Sequence, residues 1–313
     1  MPALELRSTN FPAHLELPPV ARIEFAWNEL IWAAITVGRR ELDHVVRHGT
    51  HSFYEIAYRC ALLWANLCEL NDGRLKRSAA YDGLDPFEKS AISYFLGLTV
   101  SKLLASRFLS VGWLLHLDVY RNELGLNIGP GGRPDLLGLD YQDQWVIMEA
   151  KGRTNGLDRN ALARAKEQAG YVLEVNGAPP KIGVGLQAYF DRGQFSVSWE
   201  DPSPKERGER SIRLELHPER VRATYYRPFR SLLRDTEVGR RRVFIGPERV
   251  AETVQMPDLD VEVGTTRVED VVPISDVPPV EVGDVFVGPD EVVVRAGHRW
   301  TSDQMRLEPQ ARL

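Results

Sequence analysis

The spacing of apolar residues predicts a helical N-terminal part of the chain. Apolar side chains recur at helical intervals in Ala21–Arg47, and a second helix is expected over Ser52–Leu70. Each would bury one face, so we interpret residues 20–75 as a helical hairpin or small bundle. Asp85 is a preferred N-cap residue and is followed by proline, which suits a first helical turn. These signals predict a third helix over Pro86–Phe108.

The hydrophobic period then changes from helical spacing to strand-like runs. We predict strands and one further helix at the following positions: strands Trp113–Tyr120, Arg133–Leu139 and Gln144–Ala150, helix Arg159–Val175, and strands Ile182–Phe190 and Gln194–Trp199. Asp191-Arg192-Gly193, between the last two strands, is a strong hairpin signal. This order implies an α/β fold, with a mixed sheet flanked by helices.

Valine-rich runs separated by Gly, Pro and Asp predict a small all-β module beyond about Arg242. The predicted organisation is an N-terminal helical region at 1–78, an α/β core at 79–235 and a β-rich acidic module at 236–313.

Composition excludes several classes of protein. The chain has 313 residues, 43% hydrophobic and 27% charged, which excludes a disordered or collagen-like chain. Its two cysteines, Cys60 and Cys68, are too far apart on one helix to form a disulfide. Charged and polar residues interrupt the most apolar stretch, Phe95–Leu117, and no secretory signal is visible at the start. We therefore expect a cytoplasmic protein with no membrane partner.

Charge is distributed unevenly along the chain. The formal net charge is −5, but Lys205–Arg242 contains 12 basic and 6 acidic residues, whereas Ala251–Leu313 contains 5 and 13. A basic segment can contact nucleic acid or can be a solvated face with paired charges. Tyr225 and Tyr226, interleaved with arginines, either stack on bases or pack beneath those arginines.

The strand that ends near Ala150 carries the candidate chemistry. Side chains alternate between the faces of a strand, so Glu149 and Lys151 share one side with Trp145 and Ile147. A strand that is apolar on both faces lies inside a sheet, so these two charges are partly desolvated. Burying a charge is costly unless it is paired or binds a metal.

A hairpin across the Asp140–Asp143 turn would bring Asp135 beside Glu149. Two neighbouring carboxylates require a proton or a cation. Mg²⁺ prefers oxygen ligands, so Asp135, Glu149 and the backbone carbonyl of Ala150 could hold one ion with several waters. Lys151 could orient or help to deprotonate an attacking water and neutralise charge that develops on a phosphate.

Pro134-Asp135 followed by Glu149-Ala150-Lys151 resembles the PD-(D/E)xK nuclease superfamily, which has the restriction-endonuclease-like fold. The resemblance covers roughly residues 85–200. It implies a Mg²⁺-dependent hydrolase that cuts phosphodiester bonds of nucleic acid, with Mn²⁺ able to substitute. Asp135 and Glu149 would then be metal ligands and Lys151 the catalytic lysine.

Further positions follow from the same resemblance. Many members add an acidic residue from the helix before the first core strand, and Glu88 is the carboxylate available there. Many also carry a polar residue on the helix after the lysine. Lys166 and Gln168 are candidates for that role, and with Arg153 they are the expected contacts to nucleic acid.

The expected target is DNA rather than RNA, and proteins of this build often act in bacterial restriction or anti-phage defence. Cutting both strands of a duplex usually takes two sites, which is consistent with a homodimer, and a partner protein could bind the N-terminal helices or the C-terminal module. One alternative is an inactive nuclease-like scaffold that binds nucleic acid or a protein. Another is an RNA-directed nuclease, because the segment from Arg39 to His44 resembles the Arg-x₄₋₆-His signature of HEPN ribonucleases.

Overall fold

The computed structural model describes residues 1–37, 51–126, 128, 133–201, 211–235, 241–246, 249–256, 259–264, 280–282, 285–290 and 292–296. Arg39 and His44 lie outside these residues. The α-helices of this part of the chain are α1 (Trp27–Thr36), α2 (His51–Asn66), α3 (Ala79–Asp82), α4 (Pro86–Leu109), α5 (Leu117–Tyr120), α6 (Arg159–Ala169) and α7 (Pro218–Asp235).

The strands of the first half are β1 (Ala3–Thr9), β2 (Val20–Glu24), β3 (Leu67–Glu69), β4 (Leu75–Arg77), β5 (Val111–His116), β6 (Leu136–Asp140) and β7 (Trp145–Gly152). Those that follow are β8 (Val172–Val175), β9 (Ile182–Asp191), β10 (Gln194–Glu200), β11 (Ile212–Leu214), β12 (Arg241–Gly246), β13 (Arg249–Met256), β14 (Leu259–Gly264), β15 (Val280–Val282), β16 (Val285–Val287) and β17 (Val292–Ala296).

The central element is a nine-stranded mixed sheet, whose main path has the order β2-β1-β10-β9-β7-β6-β5. β7 pairs antiparallel with β6 and parallel with β9, so it lies inside the sheet, as its apolar sequence predicts. The prediction of an α/β fold with a mixed sheet flanked by helices is therefore confirmed.

Helices α4 and α6 pack on opposite faces of this sheet, and glycines allow both to approach closely. A Cβ atom on Gly152 would overlap the carbonyl oxygen of Ser93 in α4. A Cβ atom on Gly185, in β9, would lie 2.5 Å from the backbone nitrogen of Lys166 in α6. Gly185 pairs with Glu149, so these two residues point to the same face of the sheet. Gly152 is three residues from Glu149 along β7 and therefore points to the other face. Glu149 and Lys151 thus face α6.

Local signals in the sequence account for the ends of these core elements. Asp85 caps α4 as predicted, accepting hydrogen bonds from the backbone nitrogens of Phe87 and Glu88. The hairpin between β9 and β10 turns at Arg192 and Gly193, whose φ angles of 49° and 85° place both in the left-handed region. This is the geometry that two-residue hairpin loops favour.

Two predicted boundaries in the core are wrong. The strand expected over Trp113–Tyr120 ends at His116, and Leu117–Tyr120 is a short helix instead. The helix expected over Arg159–Val175 ends at Ala169, and Val172–Val175 forms a strand that pairs with β11. Apolar runs of this length fit either helix or strand, and the tertiary partner decides between them.

The first 78 residues are not only helical, which corrects the prediction for this region. β1 and β2 extend the main sheet, with β1 pairing in parallel to β10. In β1 the side chains of Leu4 and Leu6 are buried while Glu5 and Arg7 alternate with them toward solvent. Pairing with a strand 191 residues away determines this structure, and no local pattern in the sequence contains that information.

The described strands from Arg241 to Ala296 form a six-stranded antiparallel sheet, in agreement with the predicted β-rich C-terminal module. Asp290, which lies between β16 and β17, is fully buried, and its carboxylate accepts a hydrogen bond from Trp32 Nε1 at 2.8 Å. The hydroxyl group of Tyr225 donates to the same carboxylate, and Lys102 Nζ lies 3.8 Å from it. Tyr225 and Tyr226 are both buried, so they pack in the interior and are not available to stack on bases.

Helix α4 is the one helix in the described part of the chain that is long and apolar enough to cross a membrane, and 61% of its most apolar window is buried inside the protein. Such burial is expected of a central helix in a globular core.

Candidate active site

The β6–β7 hairpin brings Asp135 and Glu149 together. Its turn is fixed by the buried Asp140, whose carboxylate accepts hydrogen bonds from the backbone nitrogens of Gln142 and Gln144, each at 2.8 Å. Leu136 pairs with Met148 in the resulting register, so Asp135 stands opposite Glu149. The predicted juxtaposition of the two carboxylates is confirmed.

Each carboxylate is bound by backbone from the other strand. The backbone nitrogen of Asp135 donates to Glu149 Oε2 at 2.8 Å, and that of Ala150 donates to Asp135 Oδ2 at 3.2 Å. Lys151 Nζ forms an ion pair with Glu149 Oε1. The structure therefore brings Asp135, Glu149, Ala150 and Lys151 together where β7 reaches the rim of the sheet.

Two further side chains, Tyr94 and His116, complete the surroundings of Asp135. The hydroxyl group of Tyr94, on α4, donates to Asp135 Oδ1 at 3.4 Å and lies 3.0 Å from His116 Nε2. His116, the last residue of β5, has its Nε2 atom 4.0 Å from Asp135 Oδ1. The site is thus built at the ends of three neighbouring strands and beside one helix.

Burial dominates the electrostatics of these groups. The Glu149 residue is 1% exposed, and this burial together with the Asp135 charge raises its pKa to about 7, although Lys151 opposes the rise. Burial also raises the pKa of Asp135, against the effects of His116 and Lys151. Burial lowers the pKa of His116, which favours the neutral ring. Ionising both buried carboxyl groups therefore costs free energy, and a bound cation would offset this cost.

The donor set fits a hard divalent cation. Each carboxylate oxygen retains a second lone pair beyond its hydrogen bond, and carboxylates are the protein ligands that Mg²⁺ prefers. No group of three or more His, Cys, Asp and Glu side chains suited to a metal ion is found among the described residues. Asp135, Glu149 and the Ala150 carbonyl are the groups at this site that could hold such a cation, with water or a substrate phosphate supplying the other ligands.

Glu88 is placed away from these groups. It stands in the first turn of α4, is exposed, and its carboxylate accepts a hydrogen bond from the backbone nitrogen of Asp85 at 3.3 Å. Tyr94, six residues and roughly 9 Å further along the helix axis, is the α4 residue that reaches Asp135. Because a capping box already uses its carboxylate, Glu88 has a structural role at the helix start.

The predicted nucleic-acid contacts are also outside the carboxylate cluster. Arg153 forms an ion pair with Asp158, the N-cap of α6, at 2.7 Å. Lys166 forms an ion pair with Glu200. Glu200 pairs with Gly185, which pairs with Glu149, so Glu200 lies two strands and roughly 10 Å from Glu149. Gln168 is half-buried in the last turn of α6.

Sequence reasoning missed Tyr94 and His116. His116 was concealed by the predicted continuation of its strand to Tyr120, whereas the strand in fact ends at His116. Tyr94 belongs to no sequence motif. Its exposure of 38%, on a helix that is otherwise largely buried, is seen only in the structure.

Comparisons of the chain with protein-family models, with curated proteins and with solved structures gave no match.

Proposed function

We propose that the chain is a metal-dependent nuclease that hydrolyses phosphodiester bonds, with DNA as its preferred target. The observation that carries the proposal is the convergence of Asp135, Glu149 and Lys151 at the end of an internal strand, with each carboxylate bound by the opposite strand. The proposal includes a restriction-endonuclease-like core, with which the helix–strand order around these residues is consistent.

Asp135, Glu149 and the carbonyl of Ala150 would hold Mg²⁺, or Mn²⁺ in its place. When bound, the cation lowers the pKa of a coordinated water and stabilises negative charge on the scissile phosphate. The chain supplies the position and orientation of the two carboxylates through the hairpin register. Because Glu149 is nearly fully buried, the attraction between its ionised carboxylate and a bound cation would be little weakened by solvent, and the cation would offset the burial that raises its pKa.

Lys151 supplies the mobile positive charge of the site. Its side chain is 30% exposed, so the ammonium group can exchange its contact with Glu149 for one with a phosphate oxygen or an attacking water. In the proposed reaction a water oxygen attacks phosphorus and gives up a proton to solvent, while a phosphorus–oxygen ester bond breaks and its oxygen takes up a proton and leaves as an alcohol. No covalent intermediate with the protein forms. Lys151 orients the water and neutralises charge on the phosphate during this step.

A cleavage assay tests this function. Supercoiled, linear and single-stranded DNA, and RNA, are incubated with the full chain in Mg²⁺, Mn²⁺ or EDTA. We expect cleavage of DNA in either metal and none in EDTA, and loss of cleavage in Asp135→Asn and Lys151→Ala. Lys89→Ala is the matched control. Lys89, in the first turn of α4, donates to the backbone carbonyl of Asp82 in α3 and should be dispensable for cleavage. Equal cleavage by Lys151→Ala would refute the proposal.

The alternative of a non-cutting scaffold that binds a protein partner is favoured by one observation: both cationic residues expected to contact nucleic acid, Arg153 and Lys166, are paired with carboxylates, in a chain whose net charge is −5. Titration with Mg²⁺ separates the two functions. Such a scaffold would show no Asp135-dependent heat, whereas a nuclease would show that heat.

A further inference from the structure

The hydroxyl group of Tyr94 connects His116 to the carboxylate of Asp135. It lies 3.0 Å from His116 Nε2 and 3.4 Å from Asp135 Oδ1. Tyr94 comes from α4 and His116 from the end of β5, so two separate elements converge on one oxygen of Asp135. The nuclease proposal assigns no role to either residue.

The direction of the hydrogen bonds follows from the other nitrogen of His116. Nδ1 is buried and has no hydrogen-bond partner. A proton on Nδ1 would be an unsatisfied buried donor, which is costly, and a positively charged ring would also carry that proton. The favoured form is therefore neutral, with its proton on Nε2. Nε2 then donates to the Tyr94 oxygen, which leaves the hydroxyl proton of Tyr94 for Asp135 Oδ1.

The second oxygen of Asp135 is held independently. Oδ2 accepts from the backbone nitrogen of Ala150 at 3.2 Å, and the backbone carbonyl of Asp135 accepts from the nitrogen of Leu117 at 2.7 Å. With Tyr94 on Oδ1, both oxygens and the backbone are oriented. Rotation of the carboxylate away from Glu149 would break the contacts on both sides.

We propose that Tyr94 is a positioning residue which, oriented by His116, holds the Asp135 carboxylate in the orientation that binds the divalent cation. This inference rests on the proposed function, because it assigns a cation to Asp135. Removing a hydrogen-bond partner of a metal ligand typically reduces metal affinity at least about tenfold. The long distance from Tyr94 to Oδ1 places the expected loss at the lower end, about tenfold.

Calorimetric titration of the full chain with Mn²⁺, without nucleic acid, measures the effect directly. We expect Tyr94→Phe and His116→Leu each to weaken binding about tenfold. His116→Gln should bind more tightly than His116→Leu, because an amide N–H can donate to Tyr94 in place of Nε2. Tyr58→Phe, at an exposed tyrosine of α2, is the matched control and should bind as the wild type does. Unchanged affinity in Tyr94→Phe, with affinity lost in Asp135→Asn, would overturn the inference.

A cleavage measurement adds a readout that a purely structural role would not produce. In Tyr94→Phe, saturating Mn²⁺ should restore most of the lost rate, because the defect lies in cation affinity. A rate that remains reduced at saturation, together with normal affinity, would contradict a positioning role.

The tautomer of His116 can be determined without metal or substrate. ¹⁵N chemical shifts of His116 in the full chain should show the proton on Nε2, and a proton on Nδ1 would overturn the proposed direction of the hydrogen bonds. Asp135-dependent Mn²⁺ binding without cleavage would refute the nuclease alone. Absence of any Mn²⁺ binding by the wild type would overturn both proposals.

Discussion

The burial of Glu149 beside Asp135 predicts that its negative charge destabilises the metal-free protein. Burial, followed by the Asp135 charge, raises the pKa of Glu149 from its ordinary 4.5 to about 7. A tenfold change in proton affinity corresponds to about 1.4 kcal/mol, so this rise corresponds to about 3 kcal/mol. The native state thus binds the Glu149 proton more tightly than the unfolded state does.

The pH dependence has a definite sign. Below pH 4.5 Glu149 is protonated in both states and contributes no penalty. Between pH 4.5 and about 7 the unfolded state loses this proton first, so the Glu149 contribution lowers the free energy of unfolding as pH rises. Above about pH 7 the penalty is complete.

The substitution Glu149→Gln isolates this contribution. The amide side chain would keep one oxygen, to accept from either Lys151 or the Asp135 backbone nitrogen, and would place an NH2 group where the other oxygen stood, but it would carry no charge. At pH 8 in EDTA we expect the variant's free energy of unfolding to exceed that of the wild type by up to about 3 kcal/mol. This figure already includes the attraction between Glu149 and Lys151, which opposes the rise in pKa, and the one hydrogen bond that the amide cannot accept makes it an upper limit.

Urea denaturation at pH 4, 6 and 8 measures the difference, with equal m values required for the comparison. The difference between variant and wild type should shrink toward zero at pH 4. Mg²⁺ at about 100 times its dissociation constant should stabilise the wild type alone by about 2.7 kcal/mol and so narrow the gap at pH 8. A variant that is less stable than the wild type at pH 8, or a difference that does not change with pH, would show that the Glu149 charge does not destabilise the metal-free protein.

Two other substitutions test the packing that supports the site. Gly152→Ala would place a methyl group against the Ser93 carbonyl and should lower the free energy of unfolding by about 2 kcal/mol or more in thermal or urea unfolding. The control Gly156→Ala, whose added methyl would have no atom within 4 Å, should be close to neutral. Equal effects of the two substitutions would contradict the close contact between α4 and β7. Asp290→Ala would leave the buried Lys102 ammonium without a carboxylate partner, although its hydrogen bond to the Gly112 carbonyl remains, and should cost about 3–5 kcal/mol. Adding Lys102→Met should recover a large part of that loss, and strictly additive losses in the double-mutant cycle would show that the two charges are not coupled.

Local sequence signals predicted the elements that position the candidate site. The Asp85-Pro86 start of α4, the turn at Asp140 and the alternation along β7 are each short-range features, and each lies where the sequence indicated. Together they were sufficient to predict that Asp135 lies opposite Glu149. A hairpin of known turn position has only a few possible registers, and only one buries the apolar face of both strands.

The features that the sequence did not reveal depend on distant partners. β1 is a strand because it pairs with β10, and Asp290 is buried because Trp32, Lys102 and Tyr225 surround it. Tyr94 and His116 meet at Asp135 only because α4 crosses the sheet beside the end of β5. No local pattern encodes such crossings, which arise from packing of the whole core.

The single-turnover rate of DNA cleavage at saturating Mg²⁺, measured for the wild type and for Lys151→Met, shows whether Lys151 acts in the reaction itself. Calorimetry on the same samples establishes that both bind the cation. We expect the variant to bind Mg²⁺ and nucleic acid but to cleave at least about a hundredfold more slowly, since Lys151 stabilises charge that develops in the reaction. Cleavage by the variant at the wild-type rate, or by the wild type in EDTA, would contradict the proposed reaction.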